Sequence, residues 1–145
     1  MVKVILYLWQ LPQHLPGLCL IWMLGATKTY QPQSGIAYWF FKPKNRFGEY
    51  ISGVSLGQYI VLKTKNENTV KHEYGHSIQS RRWGLFYLFV VGLPSVVNNL
   101  WDRYFHKKWA EKKRTAWYYS RWPEKQADLL GGVHRFNKEP TAHGC

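Results

Sequence analysis

The pentapeptide His72-Glu73-Tyr74-Gly75-His76 constrains the fold of this chain more than any other feature of the sequence. Residues four apart lie within about 40° of each other on one face of an α-helix, so a helical conformation brings both imidazoles to the same side. Two imidazoles in that arrangement can hold one metal ion. We therefore predict a helix that follows an N-cap at Thr69 and runs towards Arg82.

Glu73 occupies a different position around the same helix. It lies about 100° from His72, where its carboxylate cannot easily bind the metal ion but can reach a water molecule that the ion holds. Zinc lowers the pKa of its bound water to near neutrality, so a nearby carboxylate can accept the proton at physiological pH. We predict one zinc ion per chain, with Glu73 as the general base.

A catalytic zinc site of this kind needs a third protein ligand, and Glu124 is the best candidate in the sequence. Glu124 and Asp128 are four residues apart and share a face of a second predicted helix. Glu124 is expected to face the metal ion, while Asp128 accepts the free N–H of His72 and so orients that ring. The helix is expected to have Pro123 at its first position and a C-terminal cap at Gly131 and Gly132.

The composition indicates one folded domain spanning residues 1–145, with a flexible tail at 137–145. Hydrophobic residues make up 46% of the chain and aromatic residues 17%, which excludes a disordered protein. Twenty Lys and Arg against eight acidic residues give a net charge of +12, which favours an anionic partner. Cys19 and Cys145 have no Cys-x-x-Cys spacing, which argues against a disulfide framework and favours a reducing compartment.

Hydrophobic patterning predicts an α+β fold with a short β-sheet before the active-site helix. Residues 35–41 are rich in aromatic and branched side chains and are expected to form a strand, after a polar turn over residues 27–34. A strand pair is expected within residues 48–65, where Gly53 and Gly57 permit a bulge or a close backbone approach.

Two apolar segments leave alternatives open. Residues 1–26 are expected either to pack as a helix on the domain or to form a membrane-associating hairpin. Residues 83–97 carry no charge and suit a buried helical hairpin, a re-entrant element or a surface that dips into lipid. A basic amphipathic helix over residues 101–114 is expected to follow, either with its aromatic side chains in the core or lying on anionic lipid.

The histidine motif and the acidic motif together resemble the pattern of a known family. His-Glu-Tyr-Gly-His, followed by Ser120-Arg121-Trp122-Pro123-Glu124-Lys125-Gln126-Ala127-Asp128, is similar to the pattern of the gluzincin zinc metallopeptidases. It most resembles the membrane-linked branch that includes the CAAX-processing endopeptidases and the bacterial heat-shock membrane protease. The resemblance covers roughly 15 residues in two blocks, and Pro123 departs from the family pattern.

The resemblance implies roles for individual residues. It implies that His72, His76 and Glu124 bind zinc, that Glu73 is the general base and that Asp128 orients His72. It also implies an edge strand before the active helix, within residues 53–62, that pairs with an extended peptide substrate. The candidates for a donor to the transition-state oxygen are Tyr118, Tyr119, His134 and Arg135.

We therefore predict a zinc-dependent metalloendopeptidase that works at an anionic membrane surface, with its active site on the cytoplasmic side. One alternative is a basic nucleic-acid-associated protein, because the +12 charge and the interleaved aromatic residues also suit phosphate and base stacking. Another is an inactive membrane scaffold with a structural metal site. The uncharged segments 15–26 and 85–97 favour the membrane over nucleic acid, and an intact Glu73 opposes the inactive scaffold.

Overall fold

The computed structural model describes residues 2–135, which form an α+β fold of seven α-helices and one four-stranded mixed sheet. In chain order the elements are α1 (Val2–Trp9), α2 (Leu11–Leu24), β1 (Thr27–Gln31), β2 (Ile36–Phe40), α3 (Arg46–Tyr50), β3 (Gly53–Leu56), β4 (Tyr59–Leu62), α4 (Glu67–Trp83), α5 (Leu93–Phe105), α6 (Glu111–Tyr119) and α7 (Glu124–Gly131). A 3-10 turn (Gly84–Phe86) and a π-helical turn (Leu88–Gly92) connect α4 to α5. The predicted α+β fold class, with a short sheet ahead of the helix that carries the histidine motif, is confirmed. The flexible tail predicted at 137–145 lies outside the described residues.

The sheet has the strand order β1-β2-β4-β3. Strands β1 and β2 form an antiparallel hairpin, β2 and β4 are parallel, and β3 pairs with β4 in a second antiparallel hairpin. Strand β3 is therefore an edge strand, and it packs against α4. Among the described residues this edge pairs with no further strand, and it lies beside the helix that carries the histidine motif.

The two faces of the sheet bury separate apolar clusters. Consecutive residues of a strand point to opposite faces, so Val61 packs with Ile21 and Leu24 of α2, whereas Ile60 and Leu62 pack with residues of the other cluster. That second cluster includes Val70 of α4, which is fully buried. The sheet thus lies between α2 and α4, and it holds α4 in a fixed position.

Three local predictions differ from the structure. Asn66, not Thr69, caps α4, because its side chain accepts hydrogen bonds from the backbone N–H groups of Asn68 and Thr69. Residues 27–31, predicted as a turn, form strand β1, because their backbone pairs with β2 even though their side chains are polar. Pro123 precedes α7 instead of occupying its first position, while the cap at Gly132 is confirmed by a left-handed φ of 72°.

The first apolar segment packs on the domain through buried polar side chains. Gln13 is fully buried on α2, and its amide donates to the carbonyl of Gly84 at 2.7 Å and accepts from the N–H of Gly57 at 3.0 Å. The opposite side of the segment is exposed, with Trp22 at 84% and Leu15 at 70%. Within residues 2–135, no single helix is long and apolar enough to cross a membrane. The helices Lys3–Trp9 and Leu11–Leu24 together have sufficient length and apolar character, but the pair is bent by 83°.

The second apolar segment differs from the predicted buried hairpin. Tyr87 and Val91 are buried, whereas Phe86, Phe89 and Leu93 are exposed, so the buried alternative is wrong. The single amphipathic helix predicted over residues 101–114 is also wrong, since α5 ends at Phe105 and α6 begins at Glu111.

Side-chain contacts explain the break between these helices. Nδ1 of His106 lies 3.4 Å from Oδ1 of Asp102, and the His106 ring stacks on the Trp109 ring with centroids 3.8 Å apart. The N–H of Trp109 donates to the His106 carbonyl at 2.8 Å, which closes a turn in place of another helical turn. The aromatic residues of α5 and the lysines of α6 therefore lie on separate helices.

Candidate metal centre

The site forms where α4 and α7 pack with their backbones in contact. A Cβ atom at Gly75 would overlap the carbonyl oxygen of Ala127, and one at Gly131 would overlap the carbonyl oxygen of Lys71. Glycine at both positions lets the two helices approach this closely. The contact brings the buried carboxylates of α7 over the two histidines of α4.

His72, His76 and Glu124 converge at this contact, and all three are buried. Oε2 of Glu124 lies 3.0 Å from Nε2 of His72 and 3.2 Å from Nε2 of His76. Ligand atoms on a tetrahedral zinc ion with bonds of 2.0–2.1 Å are about 3.3 Å apart. The spacing therefore matches that of a metal centre, and the ligand set is the one predicted from the sequence.

A second contact holds the other ring nitrogen of each histidine. Nδ1 of His72 donates to Oδ1 of Asp128 at 2.7 Å, as predicted, and Nδ1 of His76 donates to Oε1 of Gln79 at 2.7 Å. Gln79 is fully buried, and its amide nitrogen in turn donates to the carbonyl of Pro123 at 3.0 Å. These acceptors fix the tautomer in which Nε2 of both rings is free to bind a metal ion.

Sequence reasoning missed Gln79. The available signal was its spacing, because residues three apart are neighbours on a helix and Gln79 follows His76 by three positions. Glutamine is common on exposed helix faces, so spacing alone did not distinguish it. The structure does, since the side chain is buried between α4 and α7.

Glu73 lies on the side of α4 that faces the edge strand. A Cβ atom at Gly53 of β3 would lie 2.6 Å from Oε1 of Glu73, so a side chain at this position would force Glu73 to move. Oε2 of Glu73 is buried and has no hydrogen-bond partner among residues 2–135. Burial raises the pKa of Glu73, although His76 and His72 lower it in part. A buried carboxylate with a free oxygen and a raised pKa suits a general base.

The charges within the cluster are strongly coupled. Burial alone would lower the pKa of His72, but hydrogen bonds with Asp128 and Glu124 outweigh it and raise the pKa to about 9. Burial would raise the pKa of Glu124, yet its contacts with His72 and His76 hold the pKa well below the usual range. Without a metal ion these contacts favour a proton on His72, and a metal ion bound to the same atoms would displace it.

The four transition-state donor candidates occupy different places. The ring of Tyr119 meets His72 edge to face at 5.2 Å, and burial raises the pKa of Tyr119 to about 12, so its hydroxyl keeps its proton. The guanidinium carbon of Arg135 lies 3.4 Å from the centroid of the Tyr119 ring, and Arg135 donates two hydrogen bonds to Asp128. His134 is exposed. Tyr119 is therefore the best-placed of these candidates.

Tyr118 lies near Glu124 and contacts Ser95, a second residue that the sequence analysis did not identify. Burial raises the pKa of Tyr118, and contacts of its hydroxyl with Ser95 and Asn99 lower it in part. Ser95 in turn donates to Oε1 of Glu124 at 2.5 Å. Ser95 lies in the apolar segment 83–97, 29 residues before Glu124, and no spacing rule connects the two.

The residues present fit a metal ion of the zinc type. Two imidazole nitrogens and one carboxylate oxygen form the donor set of many catalytic zinc sites, which keep one position open. Oε2 of Glu73, which has no hydrogen-bond partner among the described residues, is a buried acceptor close to the two histidines. The cluster could therefore hold a metal ion with an activated water beside it. Comparison of the chain with family models, with curated proteins and with solved structures found no match.

Proposed function

We propose that the protein is a zinc-dependent metalloendopeptidase. The observation that carries this proposal is the convergence of His72, His76 and Glu124 on α4 and α7. Glu73 lies close to them, and its Oε2 has no hydrogen-bond partner in the described part of the chain. A structural metal site would need no free carboxylate at this place. A hydrolytic site does, because a water molecule must lose a proton as it attacks a carbonyl carbon.

Each residue of the site has a task in peptide hydrolysis. A bound zinc ion supplies Lewis acidity and lowers the pKa of its water. Oε2 of Glu73 accepts the proton of the attacking water and delivers it to the leaving amine. The Tyr119 hydroxyl, which stays protonated, donates to the oxygen on which negative charge develops. The edge of β3 at Gly53, next to Glu73, offers backbone groups to an extended peptide.

The experiment that tests this proposal compares cleavage by two glutamate variants of α4. Glu73→Gln keeps the size of the side chain and removes its basicity, so we expect it to retain zinc and to lose cleavage of casein or a fluorogenic peptide library by at least about 100-fold. Glu67→Gln is the matched control, because Glu67 is exposed on the first turn and pairs with Lys71. Near wild-type cleavage by Glu73→Gln would overturn the mechanism.

We further propose that the enzyme works at an anionic membrane surface. Two groups of large apolar side chains are exposed, one on α1 and α2 and one on the segment from the 3-10 turn through α5. They are Val4, Ile5, Leu8, Leu11, Leu15, Leu18, Trp22 and Met23, and Leu85, Phe86, Phe89, Leu93, Val96, Val97, Leu100, Trp101, Tyr104 and Phe105. Exposed apolar patches on this scale mark interaction sites with protein or lipid.

The elements that carry the two apolar groups are in contact, since α1 and α2 both pack on the 3-10 turn. Trp9 at the end of α1 packs on Gly84 of the 3-10 turn, and its indole N–H donates to the carbonyl of Arg81 at 3.1 Å. The exposed lysines at 107, 108, 112 and 113 flank the end of α5. An apolar surface bordered by cations suits a bilayer with anionic headgroups, and we place the enzyme on the cytoplasmic leaflet, where such lipids are concentrated.

A further inference from the structure

The two carboxylate oxygens of Glu124 have different partners. Oε2 faces Nε2 of both His72 and His76, whereas Oε1 accepts a hydrogen bond from the hydroxyl of Ser95 at 2.5 Å. Glu124 is almost completely buried, so its oxygens have little access to bulk water. The Ser95 hydroxyl is therefore bonded to the carboxylate oxygen that does not face the histidines.

Ser95 is held in place from two directions. It lies on the first turn of α5, directly after the π-helical turn Leu88–Gly92, and Tyr87 before that turn is buried. The Tyr87 hydroxyl donates to the Ser55 carbonyl at 2.9 Å, which ties the start of this segment to β3. The Tyr118 hydroxyl also contacts Ser95. The apolar segment between the two metal-ligand helices thus delivers one polar hydroxyl to the buried carboxylate.

We infer that Ser95 is a positioning residue that makes Glu124 bind the metal ion through Oε2 alone. This inference rests on the proposed zinc centre. Without the Ser95 hydroxyl, Oε1 has lost its donor and can turn towards the metal ion, so that Glu124 binds through both oxygens. The second oxygen then takes the place that a reacting water needs. Ser95 acts through Glu124, and it need not touch substrate.

Cobalt(II) bound to the full chain reports on this difference without any need for activity. Cobalt with four ligands absorbs visible light more strongly than cobalt with five or six, so we expect Ser95→Ala to bind one cobalt with weaker visible bands than the wild type. Its affinity, measured by chelator competition, should fall about 10- to 100-fold. Ser95→Thr restores a hydroxyl and should restore the bands. Ser34→Ala is the control, because Ser34 lies in the β1–β2 turn.

The outcomes separate this inference from the proposed function. If the wild type binds no cobalt or zinc, both the metal centre and the role of Ser95 are wrong. If the wild type binds cobalt and Ser95→Ala gives the same spectrum and affinity, only the role of Ser95 is overturned. If Ser95→Thr resembles Ser95→Ala, the hydroxyl is not what positions Glu124, and the assignment is likewise overturned.

Discussion

Nδ1 of His72 lies 2.7 Å from Oδ1 of Asp128, although the two residues are 56 positions apart in the chain. The contact crosses from α4 to α7 and is buried. Asp128 is itself held by two hydrogen bonds from Arg135, which together with His72 keep its pKa low against the opposing effect of burial. A carboxylate fixed in this way holds His72 in one tautomer and one orientation.

Replacing Asp128 by asparagine should weaken metal binding without abolishing it. Asp128→Asn removes the charge that favours the Nδ1–H tautomer of His72, so we expect zinc affinity to fall about 10- to 100-fold, measured by competition with a chromophoric chelator. Glu67→Gln changes an exposed acid of α4 and should leave the affinity unchanged. An Asp128→Asn protein with wild-type affinity would show that the contact does not orient the ligand.

The close approach of α4 and α7 makes Gly75 intolerant of any side chain. Gly75→Ala forces the helix backbones apart at the Ala127 carbonyl, so we expect a loss of at least about 2 kcal/mol in the free energy of unfolding, together with a large loss of zinc. Urea denaturation and metal analysis measure the two effects. Gly92→Ala is the control, because its Cβ would meet atoms only at 3.8 Å and beyond. Equal stability of the two variants would contradict the described helix contact.

Gln13 should stabilise the docking of the N-terminal segment. Gln13→Ala leaves the Gly57 N–H and the Gly84 carbonyl buried without this partner, and each such group costs about 1–3 kcal/mol. We expect a decrease of about 2–4 kcal/mol in the free energy of unfolding, whereas Gln33→Ala, at an exposed turn position, should have little effect. A Gln13→Ala protein as stable as the wild type would mean that α2 does not pack as described.

The membrane proposal predicts flotation of the full chain with anionic vesicles. Apolar burial should hold some protein on the vesicles at high salt, and lysine attraction of about 1 kcal/mol per surface charge should add a salt-sensitive part. Changing the lysines at 107, 108, 112 and 113 to glutamine should remove the salt-sensitive part, and changing Trp22 and Phe89 to serine should reduce binding at every salt concentration.

A parallel titration with duplex DNA tests the nucleic-acid alternative. A protein held by phosphate contacts loses affinity linearly on a log–log plot against salt and gains nothing from vesicles. Tight DNA binding by a chain that stays unbound with vesicles at low salt would reverse the membrane proposal.

The convergence of the histidine and acidic side chains was largely predictable because the motifs obey helical periodicity. His72, His76, Glu124 and Asp128 are spaced so that each pair shares one helix face, and the structure brings the pairs together. The strand at residues 36–40 was predictable for a similar reason, since aromatic and branched side chains favour a pleated, buried surface.

Elements fixed by long-range contacts escaped the sequence analysis. Strand β1 consists of polar residues and exists because β2 pairs with it, which no local pattern of residues 27–31 indicates. The break between α5 and α6 depends on the packing of His106 with Trp109 and Trp117. Ser95 contacts Glu124 only because of the tertiary structure. It belongs to an apolar segment whose composition suggested contact with lipid and not a role at the site.

Zinc content of the purified full chain tests the central claim most directly, namely that His72, His76 and Glu124 form a zinc centre. Elemental analysis should find about one zinc per chain in the wild type and very little in Glu124→Ala or His76→Ala, because a three-ligand site loses affinity steeply when one ligand is removed. Glu49→Ala, which changes an exposed acid on α3, should retain the metal. Full zinc retention by Glu124→Ala, or a wild type without zinc that also takes up none when it is supplied, would contradict the claim.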